Sequence, residues 1–193
     1  GEVMPVKHLN EWKRYLPDAR YANVYGPTEI TCNCTYYKID REFQPGENLP
    51  IGQPFPNEKV FLLDEEDRLV TEPSKKGEIC VSGTALSLGY YNDPRQTKAA
   101  FMQNPLNGQY LEPIYRTGDL GYYGEDGYLY FASRKDYQIK HMGHRIELGE
   151  IETALERVEG MRRGCCIYDE EKNKIVAFYE GELEKRQIVK SLG

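Results

Sequence analysis

A chain of 193 residues is long enough to bury a core and to hold one domain or two small ones. Its 25 Lys and Arg are outnumbered by 31 Asp and Glu, for a formal net charge of −6, so the broad basic face needed to grip a phosphate backbone is missing and no nucleic-acid partner is expected. The apolar stretches are far shorter than a bilayer span, so no membrane partner is expected either.

No signal-peptide pattern opens the chain, and the first residue is Gly1 rather than Met, so a piece of a longer protein is expected. The five cysteines, Cys32, Cys34, Cys80, Cys165 and Cys166, are odd in number and have no paired CxxC spacing for zinc. Buried free thiols in a reducing cytoplasm are the expected reading.

In chain order, Leu9, Trp12 and Leu16 have helical spacing, and Pro17 stops the helix. Arg20 to Tyr25 reads as a short strand feeding the loop YGPTE. The stretch ITCNCTYYKI after it is β-branched, aromatic and thiol-rich, which predicts another strand with Cys32 and Cys34 on one face. Four prolines and two glycines between Pro45 and Pro56 mark a crossing between subdomains. From Lys59 to Gly83 the pattern is β, in the order KVFLLD, EEDR, GEICVSG. A short helix is predicted from Pro94 to Phe101, with Asp93 as N-cap and Pro94 at the first helical position. YRTGDLGYY, the turn GEDG and the strand YLYFAS complete a small, mostly antiparallel β unit over 48–133.

Beyond Arg134 the pattern changes. QIKHMGHRIE reads as a hairpin turning at Met142 and Gly143. Leu148, Ile151, Ala154, Leu155 and Val158 then share one helical face. CCIYDEEKNKIVAFYEG is a second hairpin, and a second helix is predicted from Glu182 to Leu192. The expected fold class is therefore an α/β and α+β mixture: a small antiparallel, barrel-like β subdomain followed by a small α+β domain. Three segments are expected: 1–47 carrying the YGPTE loop, 48–135 as the β-rich part, and 136–193 as the α+β part, with Asp136 at the join.

Three motifs bear chemistry. In YGPTE, Gly26 and Pro27 force a tight turn that exposes backbone N–H groups. Thr28 offers a hydroxyl and an amide to an anion, and Glu29 offers a hard oxygen to magnesium; an ordinary turn closing a strand would explain the same five letters. In YRTGDLG, Gly118 bends the chain after a strand, and Asp119 presents a carboxylate at the rim that suits a ribose diol; an Asp capping a turn is the alternative. In SRKDYQIKHMGHRIELGEIE, Arg134 has a planar fork for a ribose oxygen or phosphate. Asp136 stands where a hinge belongs, and Gly143 lets another chain or ligand pass close to the backbone. A surface ion-pair network among Arg134, Lys135, Arg145 and Glu147 is the competing reading. His141 and His144 flank a predicted turn without a third ligand, so metal binding there is not expected. Of the 16 tyrosines, only Tyr25 and Tyr137 hold suggestive positions.

Together NVYGPTE, GEICVSGTALSLGYY, YRTGDLG and SRKDYQIKHMGHRIELGEIE resemble, in order and spacing, the adenylate-forming enzyme superfamily. Within it they are similar to the amino-acid adenylation branch: nonribosomal peptide synthetase adenylation domains and D-alanine–carrier protein ligases. The resemblance implies an ATP- and Mg2+-dependent ligase that joins an amino acid to AMP. It then implies transfer of the acyl group to the phosphopantetheine thiol of an acyl or peptidyl carrier protein.

For individual residues, the resemblance implies that Asn23, Val24, Tyr25, Gly26, Pro27 and Thr28 line the adenine and α-phosphate site, with Tyr25 against the base. Thr28 and Glu29 would be catalytic, Glu29 through the magnesium, and Asp136 would be the hinge. Asp119 would hold the ribose hydroxyls and Arg134 the ribose or phosphate. Phe131, Ala132 and Ser133 would form the strand beside the nucleotide. Val24, Cys32 and Asn33 would face the acyl substrate. Lys140, Gly143 and Arg145 would lie on the loop facing pantetheine.

The family's Ser/Thr/Gly-rich phosphate loop and its NGK-type lysine have no counterpart in these residues, so the piece by itself is not expected to turn over. An acyl-CoA or aryl-CoA synthetase is the alternative within enzymes, and a non-catalytic nucleotide-binding or interaction module the alternative outside them.

Overall fold

Prolines bracket the first element. Helix α1, Val6–Tyr15, starts after Pro5 and stops short of Pro17, with Lys13 and Arg14 in its last turn, where cations favour the carbonyl end of the dipole. The computed structural model describes residues 4–44, 47–135, 138–141, 144–169, 172–182 and 186–188. Val6 and Leu9 are buried against Tyr37, Phe43 and Leu49. Trp12 and Leu16, expected on the same face, are instead 57% and 49% exposed. The helix begins three residues earlier than its periodicity suggested, and its buried side is Val6–Leu9.

The chain divides into two compact units, Gly1–Lys135 and Asp136–Gly193. In the first, β1 (Ala22–Tyr25), β2 (Thr35–Lys38) and β3 (Gln53–Pro54) form a three-stranded antiparallel sheet in that order. The strand expected from Ile30 to Ile39 is therefore shorter. A 3-10 turn occupies Thr28–Ile30, and Thr31 and Cys32 follow with φ of 57° and 84°. Those left-handed residues break the alternation, so Cys34 is buried while Cys32 is exposed.

Strands β4 (Glu58–Leu63), β5 (Leu69–Val70), β6 (Gly77–Gly83), β7 (Phe101–Gln103), β8 (Pro113–Tyr123) and β9 (Leu129–Arg134) form a six-stranded sheet. Its order is β5-β4-β6-β8, and the far edge of the long β8 pairs with β7 near its start and β9 near its end. Helix α2, Pro94–Ala100, bridges β6 and β7 with the expected cap: Asp93 accepts from the Gln96 amide at 2.8 Å, and Pro94 takes the first turn. Leu62, Ile79, Val81 and Tyr115 join Tyr25, Ile30 and Ile51 in one core spanning both sheets. A bridge between Gly52 and Leu129 ties the sheets together directly. The fold class is the mixed, mainly antiparallel one expected from the sequence.

The second unit holds the hairpin β10 (Gln138–His141) and β11 (His144–Glu147), helix α3 (Leu148–Glu156), and the hairpin β12 (Met161–Asp169) and β13 (Lys174–Gly181). Leu148 and Leu155 of α3 pack with Cys166 and Ile188. His141 and His144 are cross-strand partners, and His141 lies edge-on to Tyr168. Asp136, Tyr137, Met142 and Gly143, and the side chains of Lys140 and Arg145, lie outside the described residues. So does most of the helix expected from Glu182 to Leu192, of which Glu182 is a bend outside the helix and residues 186–188 are described and helical. Among the described residues, no helix is long and apolar enough to cross a membrane.

Gly52 has φ of +90°, and a Cβ there would stand 2.0 Å from the Tyr36 carbonyl oxygen. Gly127 has φ of +77° and open space around it. Gly127→Ala should therefore cost only the left-handed backbone penalty of about 1–2 kcal/mol. Gly52→Ala should cost clearly more in chemical denaturation, because a main-chain clash is added; equal losses would contradict the junction between the sheets.

Candidate functional site

The TGD segment does not end a strand, as expected, but lies inside β8. Glu78 of β6 pairs with Leu120 and Cys80 with Arg116, so the three residues 78–80 face the five residues 116–120. The surplus forms a bulge at Thr117, Gly118 and Asp119, with Gly118 at φ of +70°. Glu78 braces it: this buried carboxylate accepts from Arg116 Nε and Nη2 at 2.9 and 2.7 Å, from the Gly118 amide at 3.2 Å, and from Lys135 Nζ at 3.3 Å. Thr117 Oγ1 donates to the Ile79 carbonyl at 2.8 Å and accepts from the Asp119 amide at 3.0 Å.

The bulge turns Asp119 inward, where it is 2% exposed rather than at the rim. Its two oxygens are engaged from two directions. Tyr25 Oη, 94 residues away in sequence, donates to Oδ2 at 2.5 Å, and Arg134 Nη1 donates to Oδ1 at 2.7 Å. Asp119 and Arg134 are also register partners between β8 and β9, and Arg134 Nη1 reaches the Thr117 carbonyl at 2.8 Å. Burial, with the Asp119 carboxylate next, pushes the Tyr25 phenol well above its ordinary value, so it remains a proton donor. Tyr25 is itself buried and directed at Asp119; a ribose diol reaching this carboxylate would use its remaining lone pairs or displace the phenol.

The YGPTE loop follows directly from Tyr25. The Cys34 amide donates back to the Tyr25 carbonyl at 2.8 Å, closing the loop. A Cβ on Gly26 would meet the Cys32 carbonyl at 2.5 Å and Asn33 Cα at 2.6 Å, so only glycine lets the two arms approach this closely. Thr28 is exposed, and Glu29 is 8% exposed. Val24, Cys32 and Asn33 are exposed beside it, and Asn23 Nδ2 donates to the Pro50 carbonyl at 2.8 Å. Phe131 packs on the core, Ala132 is half-buried, and Ser133 is exposed.

A second segment, 83–90, straps this loop. The buried Glu58 Oε1 accepts from Thr84 Oγ1 and the Ala85 amide, both at 3.1 Å. Its Oε2 is buried without a hydrogen-bond partner among the described residues and lies over Gly83, where a Cβ would come within 2.2 Å of it. Thr31 Oγ1 donates to the Ala85 carbonyl at 2.8 Å, the Ser87 amide to the Glu29 carbonyl at 2.8 Å, and Tyr90 Oη to Glu29 Oε1 at 2.7 Å. Tyr90 and Thr117 were missed in the sequence. The GYY pair gives no clue to which tyrosine turns in; Tyr91 is fully exposed while Tyr90 is half-buried.

The chemistry of Glu29 suits magnesium, a hard cation usually held by one or two carboxylates plus phosphate oxygens of its substrate. Among the described residues no group of three His, Cys, Asp or Glu gathers into a cage.

The model of the AMP-binding enzyme family matches residues 1–91. Tyrocidine synthase 3 of Brevibacillus parabrevis is 39% identical over 174 residues, 90% of this chain and 3% of that protein. The D-alanine–D-alanyl carrier protein ligase of Streptococcus equi subsp. equi is 40% identical over 156 residues, 80% of this chain and 29% of that protein. The adenylation domain AlmE of Vibrio cholerae, solved with glycyl-adenosine-5'-phosphate, superimposes with a TM-score of 0.84 at 28% identity, covering 99% of this chain and 37% of that one. The chain belongs to the AMP-binding, adenylate-forming enzyme family, and spans well under half the length of these relatives.

The loop conformation has a chemical readout. Burial pushes the Cys34 and Cys80 thiols up to about 12 and raises that of Cys166. A thiol-specific reagent at mildly alkaline pH should label the exposed Cys32 and Cys165 and spare Cys34, Cys80 and Cys166, as read by mass spectrometry. Labelling of Cys34 at the rate of Cys32 would contradict the left-handed break at Thr31 and Cys32.

Proposed function

We propose that this chain is part of an ATP-dependent amino-acid-activating ligase. Such an enzyme forms an aminoacyl-AMP and passes the acyl group to the phosphopantetheine thiol of a carrier protein. The observation that carries this reading is the convergence on Asp119: the tyrosine that opens the YGPTE loop and the arginine that closes β9 bind its two carboxylate oxygens.

In the first half-reaction an oxygen of the amino acid's carboxylate attacks the α-phosphorus of ATP, forming the new P–O bond as pyrophosphate leaves. Thr28, exposed at the start of the 3-10 turn, presents its hydroxyl and amide to the α-phosphate. Tyr25 and Asn23 to Pro27 line the adenine side, and Asp119 and Arg134 hold the ribose, beside the strand residues Phe131 to Ser133. Glu29 holds a magnesium ion, which when bound offsets the negative charge that gathers on the phosphates. The exposed Val24, Cys32 and Asn33 face the acyl group.

The division of the chain at Lys135 and Asp136 supports a hinge at Asp136. A hinge there would bring Lys140, Gly143 and Arg145 to the site for thioester formation. Similarity to a D-alanyl carrier protein ligase, and to a domain solved with an aminoacyl adenylate, supports an amino-acid substrate and a carrier-protein acceptor.

ATP–pyrophosphate exchange on the full-length protein tests the substrate class. Exchange dependent on one amino acid is expected, whereas exchange with fatty or aryl acids and no amino acid would overturn the assignment. Asp119→Ala should weaken ATP use by on the order of 3 kcal/mol, the sum of about two hydrogen bonds to a charged group, read as the apparent ATP affinity. An unchanged affinity would remove Asp119 from the ribose.

A further inference from the structure

We propose that Tyr90 is a positioning residue that fixes the Glu29 carboxylate for its cation, an inference that rests on the reading of Glu29 as magnesium ligand. A carboxylate on a short turn can rotate, and a ligand oxygen must point in one direction to serve a small octahedral ion. In this chain that freedom is removed from outside the YGPTE loop. Tyr90 Oη donates to Glu29 Oε1 at 2.7 Å, across 61 residues of sequence, and the Ser87 amide holds the Glu29 carbonyl at 2.8 Å. One strap thus grips both the main chain and the carboxylate of Glu29.

Tyr90 is in turn fixed from below. Its amide donates to Thr97 Oγ1 at 2.9 Å, and Thr97 Oγ1 donates to the Asp93 carbonyl at 2.7 Å, at the capped start of α2. Gly89, at φ of +125°, presses on Thr97, where a Cβ would stand 2.4 Å from Thr97 Cγ2. The Tyr90 ring meets Phe101 edge-on at 5.8 Å, and Phe101 lies 4.9 Å from the buried Tyr115 of β8. The hydroxyl therefore stands on helix α2 and strands β7 and β8, rigid elements independent of the loop it serves.

The hydroxyl can be removed without removing the ring. In the full-length protein Tyr90→Phe keeps the packing on Phe101 and loses the hydrogen bond. Glu29→Gln is the reference and Tyr91→Phe, on the fully exposed neighbour, the control. Two quantities are read: the Mg2+ concentration that half-saturates ATP–pyrophosphate exchange, and Mn2+ binding in the presence of ATP by electron paramagnetic resonance. Glu29→Gln should raise both midpoints by about tenfold or more, and Tyr90→Phe by about threefold to tenfold, the range of one net hydrogen bond. The maximal rate of Tyr90→Phe at saturating metal should be largely kept, and Tyr91→Phe should match the parent protein.

If Glu29→Gln shifts the metal midpoints and Tyr90→Phe does not, the positioning role is overturned while the metal ligand stands. A Tyr90→Phe protein with a lower melting temperature but unshifted midpoints likewise reduces Tyr90 to a structural part. If neither variant shifts them, the assignment of Glu29 fails and takes the proposal with it.

Discussion

The carboxylate of Asp119 is the interaction on which the first unit's site depends. At 2% exposure it has given up its water, and such a charge is tolerated only when its oxygens are met by donors and an opposite charge. Arg134 supplies the charge at 2.7 Å and Tyr25 a phenol at 2.5 Å, so the buried group forces three remote segments into register. The pair is weak evidence for stability, since well-packed apolar side chains could fill the same volume at no greater cost. Its value is in specifying position: the end of β1 and the end of β9 are both referred to one point on β8.

That point exists because β8 is irregular. The two surplus residues opposite Glu78–Cys80 make a bulge that a regular ladder would not allow, and the left-handed Gly118 lets it form. Glu78 then keeps it from relaxing, with Arg116 and Lys135 neutralising its buried charge. The 83–90 strap acts in the same way on the YGPTE loop. Its contacts on Thr31 and Glu29 come from backbone and hydroxyl groups anchored on Glu58 and α2, so the loop is held by elements that follow it in the chain as well as by its own turn. A loop so braced can combine an exposed Thr28 with a nearly buried Glu29 only three residues from glycine.

Much of this was legible in the sequence where local chemistry decides. The Asp93–Pro94 cap, the hairpins of the second unit, the apolar face of α3 and the mainly antiparallel β character all follow from residue spacing and turn residues. The misreadings arose where the outcome was set at long range. Trp12 and Leu16 have the period of a buried face, yet the helix is anchored by Val6 and Leu9 against Phe43 and Leu49. Cys32 and Cys34 alternate as in a strand, but the close approach at Gly26 forces left-handed residues between the arms. Gly118 reads as a strand end because a single sequence shows a glycine and not the partner strand across which it bulges. Tyr90 is one of 16 tyrosines, and nothing in its own segment says that a carboxylate 61 residues earlier will meet it.

A crystal structure of the full-length protein with AMP would test the central claim most directly, that the carboxylate gathering Tyr25 and Arg134 is also the group that holds a nucleotide's sugar. The account predicts both ribose hydroxyls within hydrogen-bonding distance of Asp119, with Arg134 still at the same carboxylate. AMP bound with its ribose elsewhere, while Tyr25 and Arg134 keep Asp119 to themselves, would contradict it and leave the buried ion pair as scaffolding alone.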